Sequence, residues 1–170
     1  MRTPPSTPNR CRQLLNQWRE NLTLSSLETS NLAGELKTMD SQLERLMKKR
    51  LRIGVFGRVG VGKSSLLNAL LGQNSFTTDV AHGCTRKTKA SLWKQAIENL
   101  NQVELVDTPG IDEISPAGRS RLANRVALQT DLILFVLDSD ITVVEIEALE
   151  TLLSSGKPIL LVLNRSDQWS

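Results

Sequence analysis

A glycine-rich segment, residues 57–64, constrains the fold of this chain more than any other feature. It reads GRVGVGKS and fits the pattern G-x-x-x-x-G-K-[ST]. A short apolar run, residues 53–56, precedes it directly, and a stretch with helical periodicity, residues 63–71, follows. Glycines let the backbone turn its amide hydrogens towards phosphate oxygens, and the N-terminus of a helix adds positive potential. The strand–loop–helix order therefore predicts a phosphate-binding loop.

Two residues at the end of this loop have the side chains that nucleotide chemistry needs. Lys63 would bring a full positive charge to the β- and γ-phosphates, and Ser64 would place a hydroxyl oxygen on Mg²⁺. The alternative is a glycine-rich turn without a ligand, which the strand before it and the helix after it disfavour. The residues predicted to bind the nucleotide here are Gly57, Gly60, Val61, Gly62, Lys63, Ser64 and Ser65.

A second element follows the phosphate loop by about 45 residues. Residues 103–110 read VELVDTPG, an apolar run that ends in an acid and a tight turn. Asp107, at the carboxyl end of the predicted strand, can hold magnesium through water. The amide of Gly110 can approach a γ-phosphate because no side chain intervenes. The tetrapeptide DTPG, residues 107–110, is a weak signal alone and a strong one after a phosphate loop. Gly110 is therefore a predicted catalytic residue together with Lys63.

A third element selects the base. Residues 164–167 read NRSD and follow an apolar run, residues 159–163. The carboxylate of Asp167 can accept both the N1–H and the exocyclic amine of guanine, whereas adenine offers no such donor pair and would leave a buried charge unpaired. Asn164 would face the other edge of the base. These residues predict a guanine-binding loop.

Short apolar runs alternate with helical stretches through residues 51–170. Runs of this kind, bounded by Gly, Asp, Pro or Asn, are typical of strands that are buried on both faces of a parallel sheet. The alternation predicts an α/β fold with a mostly parallel sheet flanked by helices. The predicted strands are 53–56, 90–94, 103–106, 132–137 and 159–163, and the predicted helices are 63–71, 119–129 and 143–153.

The first fifty residues have a different character. Residues 1–10 hold three of the six prolines and predict a disordered lead-in. Residues 11–50 carry an apolar heptad and predict an amphipathic helical arm, either one helix or two helices with a break near residues 23–26. The first fifty residues hold nine Lys/Arg and five Asp/Glu, a net charge of +4. This charge favours binding to acidic lipid or nucleic acid, and the alternative is a solvated helix face without such a partner.

Composition excludes several classes of protein. Cys11 and Cys84 cannot form a disulfide framework, they lack the spacing of metal ligands, and the chain has one histidine. Zinc enzymes and histidine-based triads are therefore disfavoured. No apolar run approaches the roughly 18 residues that cross a bilayer, and the N-terminus has no signal-peptide core. These features predict a cytoplasmic protein.

The three elements, in this order, resemble those of the P-loop GTPases of the translation-factor class, over residues 51–170. Within that class the chain is similar to the Era- and TrmE-like proteins and to dynamin-like GTPases, which the segment at residues 83–86, GCTR, supports. The resemblance implies a P-loop NTPase three-layer sandwich that hydrolyses GTP to GDP and phosphate with Mg²⁺. It also implies that Thr85 is a catalytic residue and a magnesium ligand beside Ser64 and Asp107, with Thr77, Thr78 and Thr88 as alternatives.

The chain departs from the family pattern at several positions. Arg165 replaces the usual lysine of the base motif, and its planar head could still cover guanine. Ile111 stands where Ras-like members have a water-positioning glutamine, and Val59 stands where they have glycine. We therefore predict slow intrinsic hydrolysis. Because the family continues beyond the base motif, we also expect the domain to be incomplete at its C-terminus and the strand at 159–163 to be an unprotected edge.

Three functional roles fit these observations. The basic arm favours a membrane-associated regulatory GTPase, peripheral at the inner face of a membrane and able to form a homodimer. An Era-like GTPase associated with the ribosome or RNA is the second. A nucleotide-dependent switch with little turnover is the third. The tryptophans do not interleave with basic residues, which makes a nucleic-acid stacking platform the weaker expectation.

Further charged residues lie near the predicted site. Arg58 is predicted to be an exposed loop residue, with contact to a nucleotide or to a partner across a dimer as the alternative. Asp138, at the end of a strand, is predicted to be structural. Asp112 and Glu113 follow the tight turn, and orienting a water molecule is the minor alternative for them.

Overall fold

A computed structural model of the chain describes residues 7–77 and 88–168. The chain divides into two compact units, residues 1–50 and 51–170. The first unit contains helices α1, Thr7–Glu20, and α2, Ser26–Met47. The arm therefore forms two helices rather than one. None of the described helices is both long enough and apolar enough to cross a membrane.

A capping box at Ser25 explains where the second helix begins. The Ser25 hydroxyl accepts the amide hydrogen of Glu28 at 3.4 Å, and the Glu28 carboxylate accepts the Ser25 amide hydrogen at 2.9 Å. This exchange satisfies two amides that the first turn would leave free. The apolar positions of the arm are only partly covered. Helix α2 contains no buried residue, Leu15, Leu36 and Leu43 are half-buried, and Trp18 is half exposed.

The predicted lead-in over residues 1–10 is wrong for its last four residues. Helix α1 begins at Thr7 and includes residues 7–10. Pro8, the second residue of the helix, is compatible with this start, because the first turn of a helix needs no amide donor and proline already has helical φ. Residues 1–6 lie outside the part of the chain that the structure describes.

The second unit alternates strands and helices as the sequence predicts. The strands predicted at 132–137 and 159–163 have those bounds, and the others differ by one to three residues. Helix α4 begins three residues earlier than predicted, because Ser115 caps it by accepting the Gly118 amide and Pro116 occupies its first position. The elements are β1 (Arg50–Phe56), α3 (Lys63–Leu71), β2 (Lys89–Trp93), β3 (Gln102–Asp107), α4 (Pro116–Gln129), β4 (Leu132–Leu137), α5 (Val143–Ser154), β5 (Ile159–Leu163) and a 3₁₀ turn, Ser166–Gln168.

The five strands form one sheet in the order β2-β3-β1-β4-β5. Strands β1, β4 and β5 run parallel, with Phe56 opposite Phe135 and Leu137 opposite Leu163, and β2 is antiparallel to β3. The predicted mostly parallel α/β sheet is confirmed. Because the carboxyl ends of the parallel strands share one edge, the loops that follow β1, β4 and β5 lie side by side.

The core has two layers, one on each face of the sheet, which explains why the strands read as continuous apolar runs. One cluster includes Phe56, Ile111 and Phe135 together with residues of α4 and α5. The other includes Val55 and Val136 together with Leu67 of α3. Strand β5 is an edge strand of the sheet. Its exposed side chains are Leu160, Leu161 and Leu163.

Candidate functional site

The loop after β5 contacts the loop after β1 directly. The side-chain amide of Asn164 donates to the Val61 carbonyl at 2.8 Å, and the Asn164 backbone amide donates to the Leu137 carbonyl at 2.7 Å. Gly62 lies beside this contact with a φ of +89°, and a Cβ there would come within 2.3 Å of the Asn164 amide nitrogen. Only glycine fits both the backbone conformation and the close approach. The predicted phosphate and base loops therefore meet.

Lys63, the first residue of α3, is buried with 7% of its surface exposed. Its ammonium group donates to the Gly57 carbonyl at 3.0 Å and to the Arg58 carbonyl at 2.5 Å, both within the loop. Burial lowers the pKa of Lys63, while Asp107 and Asp112 act in the opposite direction. The loop thus contains a buried positive charge whose hydrogen bonds go to neutral carbonyl groups, and this arrangement suits an anion.

Ser64 and Asp107 form the predicted metal position. The Ser64 hydroxyl donates to the Asp107 carboxylate at 2.7 Å, and the Thr108 amide donates to the other Asp107 oxygen at 3.1 Å. Asp107 is almost fully buried at the end of β3. A hydroxyl and a carboxylate are hard oxygen donors, and Mg²⁺ prefers one or two such protein ligands with phosphate and water oxygens completing its shell. These residues therefore fit magnesium.

The third predicted metal ligand, Thr85, lies outside the described residues, and so do its alternative Thr78 and the whole of residues 83–86. The described residues include no cluster of three or more His, Cys, Asp and Glu side chains that could hold a metal. Of the predicted magnesium ligands, Ser64 and Asp107 thus lie within the described residues. A magnesium ion held by these two side chains would need phosphate and water oxygens to complete its coordination shell.

The segment after β3 lies against the phosphate loop. A Cβ on Gly110 would come within 2.8 Å of the Val59 nitrogen, so the backbones are close enough to require glycine. The Val59 amide donates to the Asp112 carboxylate at 2.7 Å, and the Ile111 amide donates to the Gly57 carbonyl at 3.3 Å. Orienting a water molecule was the minor alternative for Asp112, but in this structure its carboxylate accepts a backbone amide of the phosphate loop.

The base loop ends in a single turn that leaves its acid accessible. Arg165 has a φ of +52°, in the left-handed region, and Asp167 follows in the 3₁₀ turn with an exposed side chain. Arg165 pairs with Asp138 at 3.6 Å. Asp138 directly follows β4, which lies next to β5 in the sheet, so the pair follows from the strand order.

The prediction that Arg58 is a plain exposed loop residue is wrong. Its Nε donates to the Glu145 carboxylate at 2.8 Å, and its Nη2 donates to the Asp138 carboxylate at 3.1 Å and to the Ser139 hydroxyl at 3.1 Å. Glu145 is fully buried at the start of α5, so a cation beside it is required. Asp138 and Glu145 are 80 and 87 residues away from Arg58 in sequence, and no local pattern indicates the pairing.

Asn68 of α3 is a further residue that sequence reasoning missed. Its side-chain carbonyl accepts the amides of Ser75 and Phe76, and its amide donates to the Phe76 carbonyl at 2.8 Å. The side chain is buried and fixes the chain that leaves α3. An asparagine on an otherwise apolar helix face is the signal that could have identified it.

Residues 52–165 match the family described as 50S ribosome-binding GTPase. GTPase Der of Bartonella tribocorum is 37% identical over 123 residues, which are 69% of this chain and 25% of that protein. The tRNA modification GTPase MnmE of Lactobacillus delbrueckii subsp. bulgaricus is 35% identical over 132 residues, 75% of this chain and 28% of that protein. This chain thus spans about a quarter of the length of the curated relatives it matches.

A solved structure of Era in complex with MgGDPNP and nucleotides 1506–1542 of 16S ribosomal RNA has the same fold. It matches with a TM-score of 0.58 and 29% sequence identity, over 70% of this chain and 41% of that one.

Proposed function

This chain belongs to the 50S ribosome-binding GTPase family, and we propose that it binds GTP together with Mg²⁺ and hydrolyses the GTP to GDP and phosphate. The resemblance to Era-like P-loop GTPases is confirmed, and the likeness to dynamin-like proteins stays a prediction. The observation that carries the proposal is Lys63, a buried cation that donates to two loop carbonyls at the start of α3. A nucleotide phosphate would give the Lys63 ammonium a charged partner in place of the two neutral carbonyl groups that it now contacts.

Each residue of the site has a separate task in the proposed reaction. Lys63 and the loop amides hold the phosphates, and Asp167 selects guanine by accepting its two donors. Bound Mg²⁺, held by Ser64 and Asp107, would neutralise charge on the phosphate oxygens. Catalysis then rests on positioning and electrostatic stabilisation. Ile111 is fully buried in the core and cannot orient water, which supports a slow intrinsic rate.

Base selection provides the sharpest test of the proposal. Calorimetry should show GDP binding and at least about a hundredfold weaker ADP binding, because Asp167 would stay unpaired with adenine. Asp167→Asn replaces an acceptor with an amide that can donate, so this variant should lose affinity for GDP. It should gain affinity for xanthosine diphosphate, whose base has a carbonyl in place of the exocyclic amine of guanine. Asp140→Asn, at an exposed aspartate after β4, is the matched control. Equal affinity for GDP and ADP would contradict the proposal.

Hydrolysis itself is tested by multiple-turnover phosphate release. We expect slow release from GTP that requires Mg²⁺. Tight GTP binding without turnover would favour the third role, a nucleotide-dependent switch.

For the cellular role we propose association with the ribosome or structured RNA. The support comes from similar proteins: the related Era structure contains 16S ribosomal RNA, and the relative MnmE is a tRNA modification GTPase. Filter binding of the chain to ribosomal RNA in the presence of GDP or a non-hydrolysable GTP analogue tests this proposal. Salt must be matched between samples, because phosphate contacts weaken steeply with ionic strength.

A membrane-associated role is the second candidate, and one feature of α1 favours it. Leu14 and Trp18 are one helical turn apart and half or more exposed, and Arg10 and Arg12 precede them. An exposed apolar pair beside arginines suits the surface of an anionic membrane. In this role the protein would work in the cytoplasm, at the inner face of a membrane. Co-sedimentation with anionic but not neutral liposomes, lost in Trp18→Glu and kept in Asn16→Glu, would support this candidate over RNA binding.

A further inference from the structure

One carboxylate, Asp138, is shared by two arginines from different loops. Arg58 of the phosphate loop donates to one Asp138 oxygen at 3.1 Å, and Arg165 of the base loop pairs with the other at 3.6 Å. The Asp138 side chain is one-fifth exposed, so water screens these contacts only in part. The two loops that would bind opposite ends of a nucleotide are thereby connected through a single side chain.

Glu145 fixes Arg58 from the other side. One oxygen of the fully buried Glu145 carboxylate accepts the Arg58 Nε–H, and the other accepts the amide and hydroxyl hydrogens of Thr142, at 2.9 and 2.7 Å. The hydrogen bond with Glu145 raises the pKa of Arg58. The planar guanidinium therefore has a fixed orientation, with one edge on Glu145 and one amino group on Asp138.

Arg58 also connects to the phosphate-binding lysine through its backbone. The Arg58 carbonyl accepts a hydrogen bond from the Lys63 ammonium at 2.5 Å. A phosphate that attracts Lys63 would act on the residue whose side chain orients Asp138. The contacts thus form a continuous series from Lys63 through Arg58 and Asp138 to Arg165, each step being a hydrogen bond or an ion pair.

We propose that Arg58 is a positioning residue that sets Arg165 against the guanine through the shared Asp138 carboxylate, so that binding of the phosphates and binding of the base are coupled. This inference rests on the proposed function, since it assumes a guanine nucleotide in the site. It assigns Arg58 and Asp138 to nucleotide affinity, although neither is among the residues predicted to bind the nucleotide. Arg165, which replaces the family's lysine, has the forked head that reaches the carboxylate.

A double-mutant cycle on the affinity for GDP with Mg²⁺ tests the coupling. Arg58→Met and Arg165→Met should each weaken GDP binding about tenfold, and the double variant should also be about tenfold weaker rather than a hundredfold, because residues of one network are not additive. In an Asp138→Asn background, adding Arg58→Met should change the affinity less than about twofold. Multiplicative losses would show independent action and would overturn the proposal. Wild-type protein that binds no GDP would refute the proposed function instead.

A purely structural role of Arg58 requires a separate test, because Arg58→Met leaves the buried Glu145 charge without this partner and the variant can fail to fold. The paired variant Arg58→Met/Glu145→Leu removes both charges. We expect it to fold and still to bind GDP about tenfold more weakly than wild type. Full recovery of affinity would mean that Arg58 only neutralises Glu145, and would overturn the proposal. Arg119→Met, which breaks a 3.5 Å pair with exposed Glu147 elsewhere, is the matched control and should leave affinity within twofold.

Discussion

The side-chain amide of Asn164 donates to the carbonyl of Val61 at 2.8 Å, so the loop after the last strand is hydrogen-bonded to the loop after the first. The two residues are 103 positions apart in sequence and meet because β1, β4 and β5 lie side by side in parallel. Asn164 therefore has a structural task in addition to its predicted place at the edge of the base.

Asn164→Ala should affect stability and nucleotide binding together. Loss of the hydrogen bond leaves the Val61 carbonyl without this donor and should lower the free energy of unfolding by about 1 kcal/mol. GDP affinity should fall about tenfold, because the phosphate loop loses its hydrogen bond from Asn164 and the base loses a predicted contact. Urea unfolding and calorimetry measure the two effects. Asn124→Ala, on an exposed position of α4, is the control. A loss of stability without any loss of affinity would contradict this dual role.

Ser64→Ala should remove the magnesium dependence of binding. The Ser64 hydroxyl lies 2.7 Å from the Asp107 carboxylate and is one of two oxygen donors placed for the metal. Wild-type protein should bind GDP more tightly with Mg²⁺ than with a chelator, and the variant should show a difference at least about tenfold smaller, the loss typical when a metal-site residue is removed. Ser120→Ala, on the exposed face of α4, should keep the full difference. An unchanged magnesium effect in Ser64→Ala would exclude Ser64 as a ligand.

Gly110→Ala should disturb the contact between the segment after β3 and the phosphate loop. The added Cβ would lie 2.8 Å from the Val59 nitrogen and 3.1 Å from its Cα, and these backbone atoms cannot swing aside. We expect a loss of about 1–3 kcal/mol in the free energy of unfolding, as for overpacking in a core. Gly34→Ala is the contrast, because that position is open and helical and should gain up to about 1 kcal/mol. Denaturant midpoints that do not differ between the two variants would contradict the close packing at Gly110.

Ser25→Ala tests the start of α2. The cap should contribute about 1 kcal/mol to the helix, and its loss should reduce the helical signal in circular dichroism. The pKa of Glu28 reports on the same capping box, because hydrogen bonds from the Ser25 hydroxyl and amide lower the pKa of the Glu28 carboxyl. A carboxyl with a lowered pKa stabilises the folded form above its ordinary value of 4.5, and this contribution is lost as pH falls through the folded value. Titration by NMR should find the pKa of Glu28 closer to 4.5 in Ser25→Ala, with Ser30→Ala, also in α2, as the control.

The fold followed from the sequence because its signals are local. The glycine pattern at residues 57–64 and the apolar runs at 132–137 and 159–163 identified the loop and two strands, since a strand buried on both faces needs a continuous apolar run. The predicted start of α4 was three residues too late, because the cap at Ser115 decides where this helix begins.

The arrangement around Arg58 did not follow from the sequence, for a physical reason. Its partners Asp138 and Glu145 reach it only after β4 has paired with β1, and an arginine within a glycine-rich loop has no periodicity that marks it as half-buried. The ligand roles assigned by residue type, such as those of Thr85 and Asp167, stay predictions, because they depend on a nucleotide and on residues beyond the described ranges.

The pH dependence of nucleotide affinity should reveal the buried charge of Lys63. Burial lowers the pKa of Lys63 in the free protein, below its ordinary 10.5, and a bound phosphate would raise it again. Between these two values binding takes up a proton, so affinity for GDP should be greatest below the lowered pKa and should fall as pH rises through it. Calorimetry in buffers of different ionisation enthalpy should detect that proton uptake.

Lys63→Arg is the control that isolates this titration. The guanidinium stays charged throughout, so the variant should bind GDP less tightly but without proton uptake by the side chain. Guanine also loses its N1 proton in alkaline solution, and because this loss occurs with both proteins, the difference between the two pH profiles belongs to Lys63. Parallel profiles for wild type and Lys63→Arg would mean that the lysine stays fully charged in the free protein and that its burial does not shift the proton.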